Sequence, residues 1–192
     1  MTVQYGIGAG LLAAFILMVA IRAATLQRKG IRAFMFGVTE KSDFLLVPCV
    51  LLMIYTGAAA LFGLPMWPPF VAPFWKTAVP GWAGVVLCAA SVAGIAATLR
   101  SFGDSFRVGI DEDNPDKLIT TGMFSISRNP IYTCFIIFFA GLFLIYKNAA
   151  SSLWLVFFIL IAHRQIIREE IFLRRRYGAD FDVYCERVRR YL

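Results

Sequence analysis

Five long stretches of this chain contain no Asp, Glu, Lys or Arg, and they set its architecture. They run from Met1 up to Arg22, then Phe44–Trp75, Thr77–Leu99, Asn129–Tyr146 and Asn148–His163. A helix needs about 20 apolar residues to cross a hydrocarbon core of about 30 Å. The first stretch has no basic segment ahead of it, as a cleaved signal would, and reads as a first span near Tyr5–Ile21. The second is too long for one crossing and is broken by Pro65, Pro68, Pro69 and Pro73. It predicts a second span over Phe44–Phe62 followed by a proline-rich external loop. The third span covers Gly81–Leu99. The last two stretches are separated by Lys147 alone; one continuous helix would be about 50 Å long at 1.5 Å per residue. They therefore predict an antiparallel hairpin, and the whole pattern predicts an all-α polytopic membrane protein with five transmembrane helices and a helical tail.

Orientation follows from the basic residues. All but Lys76 and Lys147 of the 19 Lys and Arg fall after spans one, three and five, and all 12 acidic residues fall on that same side. The positive-inside rule places that side in the cytoplasm, with the N-terminus outside and the C-terminus inside. Trp67, Trp75 and Trp82 suit an interfacial aromatic belt.

Composition agrees. Of 192 residues, 59% are hydrophobic and 16% charged, with a mean hydropathy of +0.71. That is too apolar for a soluble domain of this length, and too apolar and too weakly charged for a disordered chain. The net charge of +7 is explained by topology and anionic lipid, so a nucleic-acid partner is not needed. One His and four Cys exclude a His-rich metal site and a disulfide framework, and no metal is expected. The spans lack interior charges, which argues against an ion pathway in a transporter.

Two polar segments carry the candidate chemistry. Beyond span five, Arg164–Tyr177 continues as a helix to Gly178, a glycine where a helix C-cap would fall. Asp180 is positioned to cap a further helix, with Phe181, Tyr184, Val188 and Tyr191 along one apolar face. That helix either lies on the membrane surface or closes over the ends of the spans. Glu170 has Arg174 four residues on, an ordinary surface ion pair. Glu169 has no basic residue three or four positions away, and Arg164 and Arg168 share a face. Such a group suits a ligand with separate cationic and anionic parts; a solvated helix face is the plain alternative. In the second segment, Leu118–Tyr132, Pro130 suits the first turn of span four. Arg128 and Asn129 stand at that helix mouth, where an anion could bind, and Gly122 permits a tight turn before it.

Taken in order, Leu118–Gly122, Arg128-Asn129-Pro130-Ile131-Tyr132, Glu169-Glu170, and Tyr177-Gly178-Ala179-Asp180-Phe181 with Tyr184 resemble the isoprenylcysteine carboxyl methyltransferase family, in a compact prokaryotic-type form. The likeness runs from Leu118 to the C-terminus. It departs where Asn129 replaces the family's His and Met123-Phe124 replace Pro-Tyr. The resemblance implies methyl transfer from S-adenosylmethionine, leaving S-adenosylhomocysteine, to the carboxylate of a prenylated cysteine entering from the membrane. It implies cofactor contacts from Leu118, Ile119, Thr120, Gly122, Arg128, Asn129, Pro130, Tyr132, Glu169 and Glu170. Catalytic roles fall to Arg164, for the substrate carboxylate, and Glu169. It also implies one integrated membrane domain: three N-terminal spans over residues 1–100, and a cofactor loop, hairpin and cytosolic catalytic tail over 101–192. The membrane would be the plasma membrane in a prokaryote and the endoplasmic reticulum in a eukaryote. Phospholipid N-methyltransferases and sterol-reductase-like enzymes share a similar C-terminal half, and a non-enzymatic transporter or scaffold is the reading from another class.

Other motifs are weaker. Gly6-Ile7-Gly8-Ala9-Gly10 reads as small residues for helix packing. Asp111–Asp116 reads as a solvated turn, His163 as an interfacial residue, and the cysteines as small apolar side chains.

Overall fold

The computed structural model describes residues 3–29, 46–102 and 118–192, and they are all helical or irregular. The helices are α1 (Val3–Arg28), α2 (Leu46–Phe62), α3 (Pro68–Val71), α4 (Val79–Phe102), α5 (Pro130–Tyr146), α6 (Ala149–Tyr177) and α7 (Ala179–Arg187), with a 3-10 turn at Gly122–Ser125. The acidic stretch Asp111–Asp116 lies outside the described residues. α1, α4 and α6 are long and apolar enough to cross a membrane. α2 and α5 are equally apolar in character but have 17 residues each, about 25 Å of helix.

Local chemistry fixes the hairpin between α5 and α6. Pro130 opens α5, where its missing N–H costs nothing. Lys147 ends it in the left-handed conformation (φ 47°), and its amide returns to the Phe143 carbonyl at 2.6 Å. Asn148 then caps α6 reciprocally with Ser151. The Ser151 amide donates to Asn148 Oδ1 at 2.9 Å, and the Asn148 amide to Ser151 Oγ at 3.2 Å. Two residues thus reverse the chain. The same end is stitched to the preceding loop: the Phe74 amide donates to the Lys147 carbonyl, and Lys147 Nζ to Thr77.

α5 runs antiparallel to both α4 and α1. α4 and α5 approach most closely because both present glycine. A Cβ on Gly84 would collide with the Gly141 carbonyl, and one on Gly141 would come within 2.7 Å of the Gly84 carbonyl. Cys88 fits the same seam, its thiol donating to the Phe138 carbonyl at 3.3 Å. On the other side Phe15 of α1 stacks on Phe138 and meets Phe135 edge-on, with centroids 4.9 and 5.1 Å apart. Phe139 meets Trp154 and Phe158 of α6. α5 therefore forms the centre, with Phe138, Leu142 and Ile145 fully buried.

Several sequence expectations need correction. α1 runs about two turns beyond the expected end, because Ala23 and Leu26 are buried and carry the helix past Arg22. Arg22 is therefore a helix residue and not part of a loop. Of the three N-terminal glycines only Gly8 packs against a neighbour, Ile145; nothing lies within 4 Å of a Cβ at Gly6 or Gly10. Gly178, not Asp180, occupies the N-cap of α7, and Asp180 and Asp182 sit in its first turn. That helix ends at Arg187, so Val188 and Tyr191 leave its face. Cys88 and Cys134 are buried between helices, as their small apolar character suggests.

The glycine seam gives a direct test. Gly84→Val should destabilise the detergent-solubilised protein by about 1–3 kcal/mol, as overpacking does, while Gly6→Ala should leave it unchanged. Thermal unfolding of the two variants beside the wild type measures the difference.

Candidate functional site

The residues that open α5, the far half of α6 and the C-terminal tail meet at one end of the bundle. The apolar part of α6 ends near His163. Glu169 and Glu170 lie almost two turns beyond it and point toward different partners.

Glu170 is only 5% exposed. Its Oε1 accepts from Asn129 Nδ2 at 3.0 Å and Arg128 Nε at 3.3 Å. Its Oε2 accepts from Arg190 Nη2 at 2.9 Å and Arg190 Nε at 3.1 Å. Burial alone would raise its pKa, but Arg190, Arg128 and Asn129 outweigh it and hold the carboxyl below its ordinary value. The expected helix-surface pair with Arg174 does not form. Arg174 instead pairs with Asp182 of α7 at 2.7 Å, because Gly178 turns α7 back beneath α6.

The same arginine and asparagine hold the tail. Arg128 Nη1 donates to the Cys185 and Val188 carbonyls at 3.2 and 3.3 Å, at the C-terminal end of α7, where exposed carbonyls favour a cation. The Arg128 amide donates to Arg189 O at 2.9 Å. Asn129 Nδ2 and Ser127 Oγ both donate to Arg190 O. Asn129 is the N-cap of α5, yet its side chain caps nothing; it is committed to Glu170 and the tail. Tyr184 adds a bond from its hydroxyl to Phe124 O at 2.7 Å. Burial pushes that phenol up to about 12, so it remains a donor. With Phe181 fully buried and Tyr184 nearly so, α7 closes over the ends of the helices.

Glu169 lies beside this network. It accepts from Tyr132 at 2.6 Å and from Gln165 Nε2 at 3.1 Å, and Arg168 donates to Gln165 at 3.2 Å. Glu169, Tyr132, Gln165 and Arg168 are all half-buried, so this carboxylate is held in place but still reachable. Arg164 stands on an exposed side of α6. His163 is exposed and shares a 2.6 Å hydrogen bond with Tyr191.

In the entry segment, Leu118 and Ile119 are half-buried and Thr120 is exposed. Gly122 adopts φ 64°, and a Cβ there would come 2.5 Å from Ser101 Oγ; glycine is needed for both reasons. Ser101 Oγ accepts from the Met123 amide at 3.2 Å, joining this turn to the end of α4. Among the described residues, no group of three or more His, Cys, Asp or Glu is placed to hold a metal.

Sequence reasoning missed Arg190, Ser127, Gln165 and Ser101. Arg190 had a signal in the arginine-rich tail. Ser127 and Ser101 are single polar residues with partners on other elements, whereas Gln165 meets Glu169 and Arg168 one turn along its own helix, a spacing the sequence displays.

A helical bundle with a polar cluster at one end, built on a short helical hairpin, fits a membrane methyltransferase. Residues 78–180, from the start of α4 into α7, match the phospholipid methyltransferase family, and the chain belongs to that family. The match begins at α4, well before the Leu118 segment. The chain is also 32% identical, over 93 residues, to probable protein-S-isoprenylcysteine O-methyltransferases of Oryza sativa subsp. indica and Oryza sativa subsp. japonica. That stretch is 46% of this chain and 46% of each relative, so the chain spans about half the length of the curated relatives it matches. No solved structure matches it.

The buried cluster predicts a pH response. A carboxyl with a lowered folded pKa stabilises fully above the ordinary value near 4.5 and loses that contribution as pH falls through the lower folded value. Hydrogen exchange of residues 185–192 should therefore accelerate selectively below about pH 4.5. Glu170→Gln should accelerate it at neutral pH, with a cost of about 3–5 kcal/mol, typical of breaking a buried pair.

Proposed function

We propose that the protein transfers the methyl group of S-adenosylmethionine to the carboxylate of a prenylated cysteine or a similar lipophilic acid, at the cytosolic face of a membrane. The observation that carries this reading is the meeting of Arg128, Asn129 and Tyr132 with Glu169 and Glu170 across the α5–α6 hairpin. The topology assumed has five crossings, α2 and α5 included, with the N-terminus outside and residues 1–100 and 101–192 in one integrated domain. The interlocked α4–α5 seam supports that integration.

The donor set fits the cofactor. When bound, S-adenosylmethionine supplies an electrophilic methyl group on a cationic sulfonium. Glu169, anionic, reachable and oriented by Tyr132 and Gln165, is suited to the cofactor's ammonium group. The backbone of Leu118, Ile119, Thr120 and Gly122 borders the same end of the bundle and would line the cofactor, with Pro130 setting the start of α5. Glu170 and Arg128 spend their hydrogen bonds on each other, on Asn129 and on the tail, so they shape the site mainly by holding it together. Arg164, at the mouth, would take the acceptor's carboxylate. That group is already ionised near neutral pH, so the protein needs no general base. Its work is to place the nucleophile in line with the methyl group and to keep water away.

The family's own description favours a second reading, methylation of an amine-headed phospholipid. That acceptor would require removal of a proton and would gain nothing from a carboxylate-binding arginine.

Glu169→Gln and Arg164→Ala should each lower turnover of a prenylcysteine acid at least about tenfold, the scale of a lost charge-assisted hydrogen bond. Glu169→Gln should also weaken S-adenosylmethionine binding, read by thermal shift against S-adenosylhomocysteine and NADPH. Wild-type activity in both variants would overturn the residue assignment. Methylation of an amine lipid but not of the prenylcysteine would select the second reading.

A further inference from the structure

Arg22 lies well inside α1, and its position and surroundings do not suit a residue that serves only to orient the chain. It is seven residues after Phe15, so it lies on the same helix face. Phe15 is the centre of the contact with α5, stacked on Phe138. The two helices run antiparallel, with Gly8 against Ile145 and Tyr5 beside Tyr146. Extending that register two turns from the Phe15–Phe138 pair brings Arg22 level with the first turn of α5, where Tyr132 reaches Glu169.

The guanidinium there is chemically incomplete. Nε and Nη2 are both shut away from the surroundings and find no acceptor among the described residues. A guanidinium does not shed its charge, and a charge withdrawn from water without a partner is expensive. Snorkelling into lipid headgroups does not account for it, because the two nitrogens are enclosed by protein. The residue as a whole is only half-buried, so the side chain keeps an approach. Its helix neighbours Ala23 and Leu26 are buried and apolar. The setting calls for an oxyanion carried on a hydrophobic body.

We infer that Arg22 binds the anionic head of the lipophilic acceptor and makes the protein select an acid over a neutral head of the same shape. This rests on the proposed function and deepens it. Arg164 meets the carboxylate at the aqueous mouth, and Arg22 meets it from within the bundle. The planar fork of arginine suits a carboxylate in a way that a lysine ammonium does not.

The test uses the full chain in phosphatidylcholine nanodiscs, with a farnesyl-thioether acetic acid and its primary amide as probes, and binding read by calorimetry. The wild type should prefer the acid by roughly tenfold or more, the scale of a charge-assisted hydrogen bond. Arg22→Met should lose that preference through weaker acid binding, with amide affinity and S-adenosylmethionine affinity unchanged. Arg22→Lys should keep part of it. If Arg22→Met does not fold, Arg22→Lys carries the test, and full acid affinity in that variant overturns the inference. In phosphatidylglycerol-rich discs, a rise in wild-type unfolding temperature that Arg22→Met abolishes, with the acid preference intact in the variant, would assign Arg22 to lipid phosphate and overturn the inference. A wild type that prefers the acid, beside an Arg22→Met that still does, removes the inference alone. A wild type that binds acid and amide alike removes the proposed function with it.

Discussion

A carboxylate enclosed at the end of a helical bundle must be satisfied from several directions at once, and Glu170 draws its partners from separate parts of the chain. Arg128 and Asn129 come from the entry to α5, and Arg190 from the last residues. Removing any one would leave charge buried without full compensation, the costly case for an ion cluster. The cluster therefore decides where the tail lies, and the tail in turn covers the end of the bundle. Arg128 performs both jobs, since its other nitrogen and its amide hold the backbone of residues 185–189.

The division of labour between adjacent carboxylates follows from helix geometry. Neighbours on a helix point about 100° apart, so Glu169 and Glu170 meet different surroundings. Glu170 turns inward to the tail and is consumed there. Glu169 turns toward Tyr132 and Gln165, where it is oriented and still open to approach. The carboxylate that anchors the tail and the one proposed to meet the cofactor are thus adjacent residues, and both positions depend on a hairpin whose two-residue turn fixes the register of α5 against α6.

The packing beneath the site has a similar economy. Glycines at 84 and 141 let α4 and α5 touch at the backbone, which leaves the opposite face of α5 for the aromatic contacts with α1 and α6. Such contacts set which helices are neighbours. That neighbourhood is what brings Arg22 level with the polar entry to α5.

Hydropathy and charge placement alone determined the helical segments and the hairpin turn at Lys147-Asn148, because these depend on residues close together in sequence, while the family resemblance rested on short motifs in a fixed order. The proximity of Arg128 to the Glu169-Glu170 helix was legible too, through the order of short motifs on either flank of the hairpin. The local pairing rule misplaced Glu170 with Arg174, since a surface pair at four residues' spacing is worth only tenths of a kcal/mol. A buried carboxylate can gain far more from three partners elsewhere. The capture of the tail by Arg190, the closure of α7 over the bundle and the enclosure of Arg22 inside α1 were decided only by tertiary structure. Each joins residues far apart in the chain, and no helix period or motif spacing encodes such a distance.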